Sequence, residues 1–247
     1  MASTYTPTDA INMAKALNHQ APTVNMQTYA ADLINSFIWV AFPWTWTRKA
    51  LTTISLTDGT QDYALNSANA TDFYRFVNLE LNQTSTTPNV VRAMSQKNHL
   101  SQELVTTAGI ETIRHFSWEP SISKIRLDYP AAVPSGVTIV IQGEYQYVPT
   151  KITESTLTTA LTLPDHYFHV FLEGVRWKFY ELTDDPRTGT TQEVRGRAVH
   201  TGQKATFMAA FDAMKEAEDF SDAEDVVYPA GGTLGQGRDN FNPKIFF

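Results

Sequence analysis

The residues with the most chemical potential in this chain are His166 and His169, which flank Tyr167-Phe168 and follow Asp165. On a helix, a spacing of three sets both imidazoles on one face, and two imidazoles with a carboxylate form a zinc-type donor set. Such a site needs a third or fourth protein ligand, and none is marked in the sequence. Polar residues in the first turn of a helix are the competing reading, and no metal is expected. The paired acids Asp184-Asp185 sit beside Pro186 and Gly189, in a turn. Glycosidase carboxylates are paired in space rather than in sequence, so this pair neither makes nor excludes such a site. Gly-x-Ser-x-Gly, a Walker loop and Gly-x-Gly-x-x-Gly before a helix are all absent. Gly235-Gln236-Gly237 lies near the C-terminus with no helix after it and reads as a hinge rather than a phosphate cradle. The chain contains no cysteine, which excludes disulfides, zinc-thiolate sites and cysteine nucleophiles. No catalytic residue and no cofactor is expected, and the protein is not expected to be an enzyme.

Two further groups suit binding. Trp39, Trp44 and Trp46 fit a packed core, a protein interface or a sugar-stacking platform. Trp44 and Trp46 share a face if extended, and Trp is enriched at interface hot spots. The chain ends Asn242-Pro243-Lys244-Ile245-Phe246-Phe247 after the glycines at 231, 232, 235 and 237. A fraying terminus is usually polar. Terminal aromatics on a glycine-bearing spacer read instead as an anchor for a neighbouring molecule, since a buried Phe contributes roughly 1.5–3 kcal/mol.

The 247 residues can bury a sizeable core as one domain or two small ones. Charged residues make up 18%, below the roughly 25% of ordinary soluble domains. Thr supplies 32 positions. Low charge with abundant Thr and aromatic residues suits β-rich surfaces that meet other subunits. The net charge of −7 argues against gripping nucleic acid, which requires Lys and Arg to displace counterions. An acidic lining would let DNA pass without sticking. The N-terminal residues lack a signal-peptide pattern, and the apolar clusters near Phe37–Trp46 are too short and interrupted to span a bilayer.

The elements that hold these residues follow from periodicity. Thr8 or Asp9 is expected to cap a helix over 10–18. From Val24 to Ala41, Met26, Tyr29, Ala30, Leu33, Ile34, Phe37, Ile38 and Ala41 form one helical stripe, which leaves Trp39 pointing outward. Pro43 ends that helix. Residues 49–57 alternate as a strand, the Asp58-Gly59 turn follows, and 61–65 can return antiparallel. Strands are expected at 73–81, 110–116, 122–129 and, most clearly, 137–148. Leu163-Pro164-Asp165 opens a helix with a stripe of Phe168, Phe171, Leu172, Val175, Phe179 and Leu182. A second helix is expected over 192–217, weakened by Gly196 and Gly202. An extended end begins in the acidic run Glu216–Asp225. The fold class is α+β: a helical bundle from N- and C-terminal segments, an inserted antiparallel β domain and an extended C-terminal tail. The expected parts are 8–46 (helical), 47–149 (antiparallel β), 150–219 (helical) and 220–247 (extended anchor tail).

This layout resembles bacteriophage head-to-tail adaptors, the connector, tail-tubular and gatekeeper-type proteins. Three places carry the resemblance: the helix running into aromatic-Pro-Trp and a strand over Ser36–Leu56, the Asp58–Tyr63 turn, and Leu163-Pro164-Asp165 opening the C-terminal helices. The resemblance implies a structural protein of the virion head–tail junction, made in the host cytoplasm. It implies a homo-oligomeric ring of about twelve subunits below the portal, with tail or nozzle proteins beyond it. The ring would line a channel through which genomic DNA passes without sequence-specific binding, and no membrane is involved. The C-terminal tail, Asn242 to Phe247, would bind the portal, and Trp39, Trp44 and Trp46 are candidates for the subunit interface. A carbohydrate-binding β module of a phage tail or surface protein is the alternative, and a hydrolase without a recognisable motif a further one.

Overall fold

The computed structural model describes residues 3–16, 22–66, 68–70, 72–84, 90–97 and 107–224. Its first helix, α1 (Pro7–Lys15), starts at Thr6, whose hydroxyl accepts from the Asp9 N–H while the Asp9 carboxylate accepts from the Thr6 N–H. This reciprocal capping box, with Pro7 at the first helical position, fixes the start. The cap is therefore Thr6 rather than Thr8 or Asp9, and the helix begins before the expected residue 10.

Helix α2 (Val24–Ala41) is capped by Thr23 and stops before Pro43. Its buried residues are Gln27, Ala30, Ala31, Ile34, Ile38 and Trp39, whereas Tyr29, Phe37 and Val40 are exposed. The buried face is rotated by about one residue from the expected stripe, and Trp39 points inward rather than outward. A single-stripe reading assumes one buried side. Here Ile34 and Ile38 enter the helical core while Trp39 meets the sheet through Tyr147.

Helix α3 (Phe168–Leu182) follows a 3-10 turn over Asp165–Tyr167. Its expected stripe is buried at Phe168, Phe171, Val175 and Phe179. Helices α2 and α3 approach closely at Gly174, where a Cβ would lie 2.7 Å from Ile34 Cγ2. Helix α4 (Gly202–Glu224) adds Phe207, Phe211 and Met214, so all four helices share one hydrophobic core.

A second core lies under a curled eight-stranded mixed sheet. Strands β1 (Arg48–Ala50) and β2 (Ile54–Ser55) both pair with β8 (Ile139–Tyr147). The order continues through β4 (Phe73–Gln83), β5 (Val90–Gln96), β6 (His115–Glu119), β7 (Lys124–Leu127) and β3 (Asp62–Ala64). Three expectations are corrected. The sheet is not wholly antiparallel, because β5 and β6 run parallel. The Asp58-Gly59 turn forms, but residues 61–65 do not return along 49–57; β3 pairs with β7 instead. The turn hands the chain across the curl, with the Gly59 N–H donating to Ala131 O at 2.8 Å. Residues 110–112 form a turn, so the strand expected at 110–116 begins only at His115.

The largest correction lies after α3. The helix expected over 192–217 is a hairpin followed by a helix. Strands β9 (Thr191–Val194) and β10 (Arg197–His200) pair antiparallel and α4 begins at Gly202. Arg195 and Gly196 both have positive φ, the requirement of a two-residue hairpin turn. At the hairpin's base, Gly189 and Gly202 cross so closely that a Cβ on Gly189 would lie 1.8 Å from Thr201 O. Helix α4 continues to Glu224, through most of the acidic run expected to be extended. Residues 225–247, with Gly235, Gly237 and Asn242 to Phe247, lie outside the described residues.

Candidate functional site

The two cores meet where α2 ends. The last four carbonyls of any α-helix lack intrahelical partners, and Pro43 prevents the chain from continuing to supply them. Here side chains fill the gap. The Trp44 indole N–H donates to Ile38 O at 2.6 Å. The Gln146 amide, on β8, donates to Trp39 O at 2.8 Å, Phe42 O at 3.0 Å and Thr47 Oγ1 at 2.9 Å. Its oxygen accepts from Arg75 Nε at 2.7 Å. The Trp39 indole N–H returns a bond to Tyr147 O at 2.7 Å. Helix and sheet are thus pinned by reciprocal bonds in a dry site, where Gln146 and Trp44 are fully buried. An unmet polar group there would cost roughly 1–3 kcal/mol.

Glu218 closes the same joint from α4. Its carboxylate accepts from Thr45 N at 3.2 Å, Thr45 Oγ1 at 2.8 Å and the Tyr167 hydroxyl at 3.2 Å. Burial, with the Glu218 charge beside it, pushes the Tyr167 hydroxyl up to about 12. The acidic run thus contributes a structural clamp, and α4 leaves the joint beside the Phe42–Trp46 segment.

Trp39 and Trp44 therefore occupy the subunit's own interior and offer no face on which a sugar could stack. Trp46 is half-buried, stacked on Trp44 at 6.0 Å and edge-on to Trp39 at 5.3 Å. Its N–H has no partner among the described residues. Gln146 was missed from sequence because strand alternation places it among outward polar residues. The available signal is Pro43, which ends α2 and leaves its last carbonyls to donors from elsewhere.

The other candidates resolve individually. Asp165 is an anchor for the N-terminal strand of chain, accepting from Ser3 Oγ at 2.6 Å, Thr4 N at 2.8 Å and Thr4 Oγ1 at 2.8 Å. Those bonds, Ser3 first, hold its carboxyl below the usual range. His166 and His169 are exposed, and the His169 Nδ1 lies 3.0 Å from His166 O. Among the described residues, no group of three or more His, Asp or Glu side chains is placed to hold a metal ion. Asp184 takes a left-handed conformation and Asp185 binds Arg187 through its backbone and guanidinium, so the acid pair shapes the turn. In the sheet, Arg126 forks onto Asp62 at 2.7 and 2.9 Å and holds its carboxyl below the ordinary range. Lys49 and Tyr145 both bind Asp72, whose carboxyl is lowered although burial opposes it. These carboxylates are committed to structural partners.

The outward surfaces are of another kind. Tyr29, Phe37 and Val40 leave an exposed apolar strip along α2, beside a groove lined by Leu33, Ser36, Trp177 and Lys178. The β9–β10 hairpin stands almost entirely in solvent. Among the described residues, no helix is long and apolar enough to cross a membrane.

A sequence model of the family described as SU10 adaptor protein matches residues 9–233. That span takes in both cores, the joint between them and the hairpin. No curated protein matches the chain.

Proposed function

The chain belongs to the SU10 adaptor protein family, and from that premise we propose that it is a ring subunit joining a phage portal to the tail. A head-to-tail adaptor of this kind is a structural protein of the virion, and its partners are portal and tail proteins. The finer reading is ours. About twelve copies form the ring, the helical core docks toward the portal, and the sheet faces tail or nozzle proteins. The ring lines the channel without gripping the genome during ejection, as the net charge of −7 favours. The protein turns over no substrate and needs no cofactor. It is made in the host cytoplasm.

The observation that carries this reading is the joint at the end of α2. A connector must transmit position from one partner to the other, and here the two cores are locked by buried, reciprocal hydrogen bonds rather than a flexible linker. Trp39 and Trp44 supply that lock, so contacts between subunits fall on surfaces beside them, with Trp46 at the margin. The tail from Asn242 to Phe247 is the proposed portal anchor.

Light scattering of the full chain, alone and mixed with the portal from the same genome, tests the reading. A portal-plus-ring mass is expected. Deleting Ile245–Phe247 should abolish that mass without changing the subunit's unfolding. A persistent monomer that ignores the portal would overturn the function, and unchanged assembly after the deletion would overturn the anchor.

A further inference from the structure

Among the described residues, the β9–β10 hairpin is tied to its own subunit at its base and through Thr191. An isolated two-stranded hairpin is at best marginally stable in water, because neither face is covered. This one is exposed along all of β9 and most of β10. Its register divides its residues between two faces. Thr191, Glu193, Ala198 and His200 share one, and Thr191 is tied back to α4 by Lys204 Nζ at 2.7 Å. Gln192, Val194, Arg197 and Val199 share the other. Val194 and Val199 are 47% and 44% exposed, and neither Arg195 nor Arg197 has a hydrogen-bond or ion-pair partner among the described residues. An open sheet face with two valines and Arg197, next to Arg195 in the turn, fits a partner that is both acidic and apolar.

We propose that this outer hairpin face is a contact between copies of the chain, and that it receives the acidic end of α4 from a neighbouring copy. That end reads Glu216-Ala-Glu-Asp-Phe-Ser-Asp-Ala-Glu224, the most acidic stretch of the sequence, with Phe220 inside it. Glu218 is engaged in its own subunit, while Glu216 is exposed. Lys215, the nearby cation, already pairs with Asp212 at 3.5 Å. The hairpin feeds the first residue of α4 and the acidic run occupies its other end. From Gly202 to Glu216, α4 rises about 20 Å, which sets the two surfaces apart along the helix. Complementary patches at opposite ends of one element make a head-to-tail contact, which closes into a ring when the rotation divides evenly. Duplex DNA is the less suitable occupant, because phosphates gain nothing from Val194 and Val199. The inference rests on the ring reading above and assigns its contact.

The natural absence of cysteine makes the test direct. Full-length R197C and E216C are prepared separately, mixed and mildly oxidised. A disulfide-linked mixed dimer is expected well in excess of that from either variant alone. By sedimentation velocity, R195E/R197E should weaken self-association by about tenfold or more, as like charges are brought together. Adding E216R to the same chain should restore it. The absence of preferential mixed cross-linking, a wild-type chain that stays monomeric at every concentration, or self-association indifferent to R195E/R197E would each overturn the proposal. So would a loss confined to duplex-DNA binding, measured by anisotropy. Co-sedimentation with portal is scored separately. Portal binding without the cross-link sinks this contact and leaves the adaptor reading standing. The cross-link without portal binding does the reverse.

Discussion

Two helices in this protein end in opposite ways. Helix α2 stops at a proline inside the molecule, and its free carbonyls are met by Trp44 and Gln146 in a dry joint. Helix α3 stops at the surface, where Thr183 and Asp185 N–H groups cap Phe179 and Tyr180 carbonyls. The chain then runs out into a solvated hairpin before re-entering as α4. The enclosed ending needs specific side chains from distant strands and concentrates stability. The open ending is satisfied by backbone and turn residues alone, so its outer side chains are left available for a partner.

Breaking the enclosed ending should have the largest effect. Trp39→Ala removes a buried indole that packs on Tyr147 and donates to its carbonyl. A loss of about 3–5 kcal/mol is expected in urea unfolding. A loss below about 1 kcal/mol would place Trp39 at a surface and undo the contrast between the two endings. Gln146→Leu conserves volume but strips the donor from Trp39 O, Phe42 O and Thr47. About 2–3 kcal/mol should be lost, since buried acceptors are left unmet. The two substitutions should be non-additive because they share one network. Strict additivity would mean that the joint is two independent contacts.

These residues also show how much could be read from sequence. The 3.6 period predicts α2 and α3, and strand alternation predicts β8. Trp39 was misplaced because α2 buries a second face, against a strand more than a hundred residues away in sequence. The Trp cluster suits a core first and an interface next, since interior and interface draw on the same residue types. The hairpin at 191–200 was read as helix. Its valines follow no stripe, and its decisive signal is the Arg195-Gly196 turn between two short strands, which is weak beside a helical window on either side. Strand β3 was assigned the wrong partner because a tight turn fixes reversal of the chain and not which edge receives it.

Electrostatics sharpen the comparison at a smaller scale. The Arg126–Asp62 fork lies in the sheet, with Arg126 well covered and Asp62 partly so. Asp62 has a lowered folded-state carboxyl, so its contribution is present above the unfolded value of about 4 and is lost as pH falls through the folded value. Asp62→Asn should therefore cost on the order of 1 kcal/mol at neutral pH, discounted for its exposure. It should also flatten the stability profile on the acid side. A variant whose loss is the same at pH 3 and pH 7 would show that the pair contributes through packing instead.

The smallest expected effect belongs to the open ending. Arg197→Ala and Val194→Ser alter exposed side chains. Each should leave unfolding within about 0.5 kcal/mol of wild type, the range of ordinary surface substitutions. Stability and assembly are thereby separated. If the hairpin serves a neighbour, these variants fold normally and fail to associate, whereas Gln146→Leu weakens folding first and association only in consequence. A loss above about 1 kcal/mol from Arg197→Ala in the monomer would mean that the hairpin packs against its own subunit. The contrast between an enclosed, stabilising helix end and an open, partner-seeking one would then have to be given up.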